Sequence, residues 1–222
     1  IPPIKFIPAT HGFQYTNRYP GYWIPFSVQS VPDIPSVSNT YGLCGGMCAT
    51  AMDFLLAGRQ IPQRHRRPGR ITPLHRYIHA RQVDSLTAGT QVARFARWMS
   101  LPDTAVHRRT AEELKTIRKN LDNGVPTPIG MVYVSTKDTM QIWQNHQILA
   151  CAYEELEDGR IRILVYDPNY PRRNDVFVES WPDPETGGVA SVQRIGKKDK
   201  VTRGYFVMPY TPQVPPAILD DD

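Results

Sequence analysis

The sequence changes its hydrophobic period at Asn123-Gly124, and this change constrains the fold more than any other feature. Before it, apolar residues recur every three or four positions; after it, they alternate. Helices first and strands second make an α+β fold, with helices packed on an antiparallel sheet. Met47, Cys48, Ala51, Met52, Leu55 and Leu56 mark a helix stopped by Gly58 and apolar on more than one side, hence buried. Leu74, Tyr77 and Ile78 mark a second, from near Pro73. Val92, Phe95, Ala96 and Met99 mark a third, ending before Pro102. Thr110 and Glu113 read as a capping box for a fourth, with Leu114, Ile117 and Leu121 as its stripe and Asn123-Gly124 as its C-cap. Strands are expected at 128–134, 147–153, 160–166, 175–178, 189–195 and 204–208. Glu157-Asp158-Gly159 supplies a hairpin turn and Thr186-Gly187-Gly188 another.

At 222 residues the chain is long enough for one sizeable core. The expected organisation is a single unit over 1–222: an extended N-terminal segment at 1–40, a helical lobe at 41–124, a β-sheet lobe at 125–210 and a tail at 211–222. The 21 prolines gather at both ends, where extended chain lies over a core, and 220–222 read as disordered. No apolar run is long enough to span a bilayer, so a soluble protein is expected. The chain opens on Ile1 rather than Met, as a processed or trimmed chain does.

Three cysteines make no disulfide framework. Cys44 and Cys48 lack a second Cys or His pair at metal-ligand spacing, so no metal or other cofactor is implied. The formal net charge of +5 owes much to the run at 59–70, which holds Arg59, Arg64, Arg66, Arg67 and Arg70. It reads as a solvated basic loop, with an anion contact as the sharper alternative; it has no interleaved aromatics and no nucleic-acid fold signature.

Three residues carry the chemistry. Cys44 lies between Tyr41-Gly42-Leu43 and Gly45-Gly46, at the start of the buried helix. A thiol is nucleophilic as the thiolate, and a helix N-terminus favours that anion and offers N–H groups to an oxyanion. Gly45 and Gly46 present no side chain to obstruct a substrate carbonyl. His146 stands where a polar loop enters an apolar strand. Asp167, in Tyr166-Asp167-Pro168-Asn169, ends the next strand. With the hairpin turn near Asp158, positions 146 and 148 fall opposite about 169 and 167, which brings the carboxylate within reach of the imidazole. Asp167 also suits a turn initiator, and Asn169 is an alternative orienter of the ring. Cys, His and Asp in this order and context suit a thiol hydrolase.

The order resembles papain-like cysteine peptidases, especially the C39-like branch. The strings Gly42-Leu-Cys-Gly-Gly-Met47, Asn145-His-Gln-Ile-Leu149 and Tyr166-Asp-Pro-Asn169 are similar to those of a set of bacterial proteins of this fold. The likeness extends to the segment at 204–212. It implies a papain-like fold with Cys44 as nucleophile in preference to Cys48, which would lie a turn inside the helix; Cys151, in mid-strand, is expected in the core. Papain-like enzymes usually place a Gln about six residues before the nucleophile to complete the oxyanion hole. Position 38 here is Ser, and Asn39, Gln29 and Asn17 are the amides that could substitute. The expected function is a cysteine-dependent hydrolase acting on a peptide or protein through a Cys–His–Asp triad and a thioester. The alternatives are a catalytically decayed binding module, and deamidation or acyl transfer on the same triad.

Overall fold

The computed structural model describes residues 5–20, 40–137 and 139–221. In chain order, a short helix α1 (Pro8–His11) and strands β1 (Tyr19–Pro20) and β2 (Thr40–Tyr41) precede helix α2 (Cys44–Leu56). Helices α3 (Pro73–Ser85), α4 (Thr90–Ser100) and α5 (Asp103–Asp122) follow. Then come β3 (Thr127–Val132), β4 (His146–Glu155), β5 (Ile161–Tyr166), β6 (Val176–Asp183), β7 (Gly188–Ile195), β8 (Lys198–Thr202) and β9 (Gly204–Val207). β1 pairs with β2. The other seven strands form one antiparallel sheet in the order β8-β7-β6-β5-β4-β3-β9. The architecture is α+β.

The two edge strands are consecutive in the chain, joined through Arg203 alone, so the sheet must curl to bring its edges together. Thr202 Oγ1 accordingly donates to Val132 O on β3, 3.3 Å away. Ile129, Met131, Ile148, Ile163, Val165, Val178 and Tyr205 fill the sheet's core with Leu114 and Ile117 of α5. A second core joins α2 and α3 to Phe6, Phe13, Tyr19, Leu149 and Tyr166. Every residue of α2 from Gly45 to Phe54 is buried. Its large apolar side chains each contribute about 1.5–3 kcal/mol by leaving water.

Helix α5 starts at Asp103, so Thr110 and Glu113 lie in mid-helix and form no capping box. Thr110 Oγ1 instead accepts from Tyr205 N (3.4 Å), and Glu113 Oε2 accepts from Val207 N (2.9 Å). Both residues satisfy N–H groups on the outer side of edge strand β9. β6 runs further than expected, through Trp181 and Pro182. Past Ser180 it has left β5 and pairs only with β7, so proline is tolerated there. The 211–221 segment is tied to the body of the protein. Arg81 donates to Thr211 O, Gln213 N donates to Asp53, and a 3-10 turn (Ala217–Asp221) lays Leu219 in the core. Among the described residues, no helix is long and apolar enough to cross a membrane.

Candidate functional site

Cys44 is the first residue of α2, and His146 is the first residue of β4. Asp167 follows the last residue of β5. The β4–β5 register decides whether the imidazole and carboxylate can meet. At the turn end, Glu155 lies opposite Ile161, a count that would set Asp167 opposite residue 149 and away from the face of His146. A bulge between Ala150 and Ala152 moves the count by one, and Leu149 faces Tyr166. One step further, Asp167 falls beside Ile148, on the same face as His146.

His146 Nε2 lies 2.7 Å from Asp167 Oδ1. The same oxygen accepts from Asn169 N (2.8 Å), closing an Asx turn. Asp167 is therefore both a turn initiator and the partner of the ring. The Asn169 side-chain amide stands 3.1 Å from Nε2. A ring that donates Nε2–H to Asp167 has no lone pair there, so the amide oxygen is the atom that suits this position. Asp167 Oδ2 accepts from Gln193 Nε2 (2.6 Å). Nε2 being engaged, Nδ1 serves Cys44, with which the ring shares a hydrogen bond.

Burial pushes the Cys44 thiol up. The His146 charge, its hydrogen bond and the backbone N–H groups of Gln147 and Gly45 more than offset this, and the thiol is held below its ordinary value. Burial opposes protonation of His146, yet Asp167 and Cys44 overcome it and raise the imidazole to about 10. Burial raises Asp167 and the His146 charge lowers it, with a net lowering. The three groups thus favour a thiolate, an imidazolium and a carboxylate together.

The other cysteines differ. Cys48 is buried within α2, and its thiol is pushed well up by burial and by Cys44. Cys151 lies at the bulge, half-buried and packed against the core, with Sγ 3.2 Å from Leu149 O; burial raises its thiol.

Of the candidate amides, Gln29 and Asn39 lie outside the described residues. Asn17 stands at the start of α2: its Oδ1 accepts from Leu43 N at 2.5 Å, and its own N–H donates to Pro168 O at 2.9 Å. It ties the Cys44 helix to the Asp167 turn, and among the described residues no hydrogen bond engages its Nδ2. The glycines after Cys44 serve packing, not an opening for substrate. A Cβ on Gly45 would sit 2.4 Å from Gln147 Oε1 and 2.5 Å from Ser85 Oγ; one on Gly46 would sit 2.1 Å from Ile78 O. Their absent side chains let β4 and α3 close on α2.

In the basic run, Arg59 donates to Pro215 O and Pro216 O, and the Arg70 guanidinium lies 5.8 Å from the centre of the Tyr41 ring. Among the described residues, no three His, Cys, Asp or Glu side chains group to hold a metal ion. Gln193, in the alternating string Ser191-Val-Gln-Arg-Ile195, is a site residue that sequence reading missed; nothing in that string separates it from any inward strand residue. No family model, curated protein or solved structure matches the chain.

Proposed function

We propose that the chain is a cysteine-dependent hydrolase of papain-like type that cleaves peptide or related amide bonds. One observation carries the reading: a buried imidazole held at Nε2 by Asp167, 2.7 Å away, and interacting with the helix-start thiol of Cys44, whose pKa it lowers. The Cys44 thiolate attacks the substrate carbonyl carbon, and the carbonyl electron pair moves to oxygen. The Cys44 N–H and Asn17 Nδ2 serve as donors to that oxyanion. His146 then gives its Nδ1 proton to the leaving amine, and the carbon–nitrogen bond breaks to leave a thioester. Water attacks the thioester while His146 takes its proton. The acid departs and the thiolate–imidazolium pair is restored.

Iodoacetamide labelling of Cys44 between pH 4 and 9 tests the reading, with wild type beside His146→Ala. The expected result is fast labelling well below the free-thiol value of about 8.5, lost in the variant. Labelling with a midpoint near 8.5 in both proteins would overturn it. Once a substrate is found, Cys44→Ala abolishes turnover, and Asn17→Ala lowers kcat by about 10²–10³ without moving the labelling profile.

A further inference from the structure

His146 uses only one oxygen of Asp167, and the other begins a chain of donors. Oδ2 accepts from Gln193 Nε2 at 2.6 Å. An ionised carboxylate can only accept, so the Gln193 amide must turn its nitrogen toward Asp167. Its Oε1 then faces the other way, where Tyr133 OH stands 2.6 Å from it. An amide oxygen also only accepts, so Tyr133 must donate. Lys200 Nζ sits 3.3 Å from the centre of the Tyr133 ring. A cation on the ring face draws electron density from the phenol and strengthens its O–H as a donor. Hydrogen-bonding capacity alone therefore fixes every direction in the chain, and each donor points toward Asp167.

Gln193 and Lys200 are direct cross-strand partners, while Tyr133 comes from the far side of the sheet. Tyr133 follows β3, Gln193 is on β7 and Lys200 on edge strand β8, and three strands lie between β7 and β3 in the sheet order. The contacts cross the curl of the sheet. Gln193 is 1 % exposed, so its amide has no water to turn toward.

We infer that Gln193 and Tyr133 are positioning residues for the proposed reaction: they hold the plane of the Asp167 carboxylate so that His146 stays aimed at Cys44. The inference rests on reading Cys44, His146 and Asp167 as a triad. Tyr133 acts by setting the amide: without its hydroxyl, Gln193 is free to turn Oε1 toward Asp167, which repels it. The titratable groups facing Asp167 are His146, Cys48, Tyr133, Tyr166, Tyr170 and Lys200. Among the described residues none is a second carboxyl, so the wild-type carboxyl signal lost in Asp167→Asn is the one to follow.

The test is ¹³C NMR titration of the aspartate carboxyls in the full chain, with Asp167 assigned by its loss in Asp167→Asn. Gln193→Leu is expected to raise the Asp167 midpoint by about one pH unit, tenfold in the equilibrium, because a donor to the ionised form is gone. Gln193→Glu keeps the side-chain volume and sets a second carboxyl against Asp167, so one of the two midpoints rises further. Tyr133→Phe gives a smaller rise. Cys44 labelling at pH 6 slows in the same order. An Asp167 midpoint unchanged in Gln193→Leu and Tyr133→Phe overturns the positioning role; if Gln193→Leu does not fold, Tyr133→Phe carries the test, together with a Gln193→Glu in which neither carboxyl midpoint rises. The failures are separable: a wild-type Cys44 that labels like a free thiol overturns the triad. An activated wild-type Cys44 beside an unmoved Asp167 midpoint overturns the positioning role alone.

Discussion

Helix α2 touches two buried carboxylates, one at each end. Asp53, near its C-terminal end, is fully buried and gathers five donors. Tyr77 OH (3.0 Å) and Arg81 Nε (2.7 Å) reach Oδ2; Arg81 NH2 (3.2 Å), Tyr210 OH (2.7 Å) and Gln213 N (2.9 Å) reach Oδ1. Asp167, across from the N-terminal end, is 2 % exposed and takes three donors, His146 Nε2 and Asn169 N at Oδ1 and Gln193 Nε2 at Oδ2. The two differ in the cation. Asp53 faces a guanidinium that burial lowers but Asp53 and Asp84 raise, so Arg81 keeps its charge at every ordinary pH. Asp167 faces an imidazole, which can give up its proton. A buried carboxylate with a permanent cation fastens parts together; Asp53 ties α2, α3 and the C-terminal segment into one body. A buried carboxylate with a titratable cation biases a proton and makes chemistry available.

The sharpest way to break the comparison is to remove the permanent cation. Arg81→Ala leaves Asp53 buried without a counter-charge and should cost about 3–5 kcal/mol of stability, read as the shift in urea unfolding midpoint. Where the variant still folds, the pH profile of Cys44 labelling should match wild type. A labelling profile that moved with Arg81 would mean that the two carboxylates are one network.

The titratable pair should behave in the opposite way. Asp167→Asn keeps the shape but cannot hold an imidazolium, so Cys44 labelling at pH 6 should fall about 10–100-fold with a smaller change in stability. Linkage sets the pH signature. His146, raised in the folded state to about 10, contributes stability that is full below its unfolded value of about 6.5 and lost as pH rises through 10. Asp167, lowered in the folded state, contributes stability present above its unfolded value of about 3.9 and lost as pH falls. Wild-type stability minus that of Asp167→Asn should therefore be largest between about pH 4 and 6.5. A difference that is flat in pH would place Asp167 with Asp53 as a fastening.

The same contrast separates what was legible in the sequence from what was not. The change of period at Gly124 conveys the α+β class because each element buries one face, and burial leaves a period. Edge strand β8 went unseen for the converse reason: Lys198-Asp-Lys-Val-Thr202 is exposed at all but its last residue and alternates nothing. Helix α5 starts earlier than expected because its first two turns offer only Val106 as an apolar signal. The nearness of Cys44, His146 and Asp167 could be read from motif order and hairpin counting. The count itself depends on a bulge at Cys151 that no local residue pattern announces. Gln193 and Tyr133 were illegible because their meeting depends on the curl of the sheet. The Asp53 clamp was hidden likewise, since its donors come from α3 and from a segment more than 150 residues away.

Two tyrosine hydroxyls allow the finest test of the contrast. Tyr210 OH donates directly to Asp53, and Tyr133 OH reaches Asp167 only through Gln193. Each can be deleted by one Tyr→Phe change with almost no change of volume. Tyr210→Phe removes one of five donors to a carboxylate that remains ion-paired, so it should cost only about 1 kcal/mol and speed limited proteolysis within 209–216. Cys44 labelling should not respond. Tyr133→Phe should cost about as much stability, about 1 kcal/mol, but because it frees the Gln193 amide to turn it should also slow labelling and raise the Asp167 midpoint. If both variants lost stability alone, the proton at His146 would be indifferent to what lies behind Asp167. If each moves only its own readout, the two carboxylates at the ends of one helix are independent: one holds the helix in place, and the other sets the state of the thiol at its start.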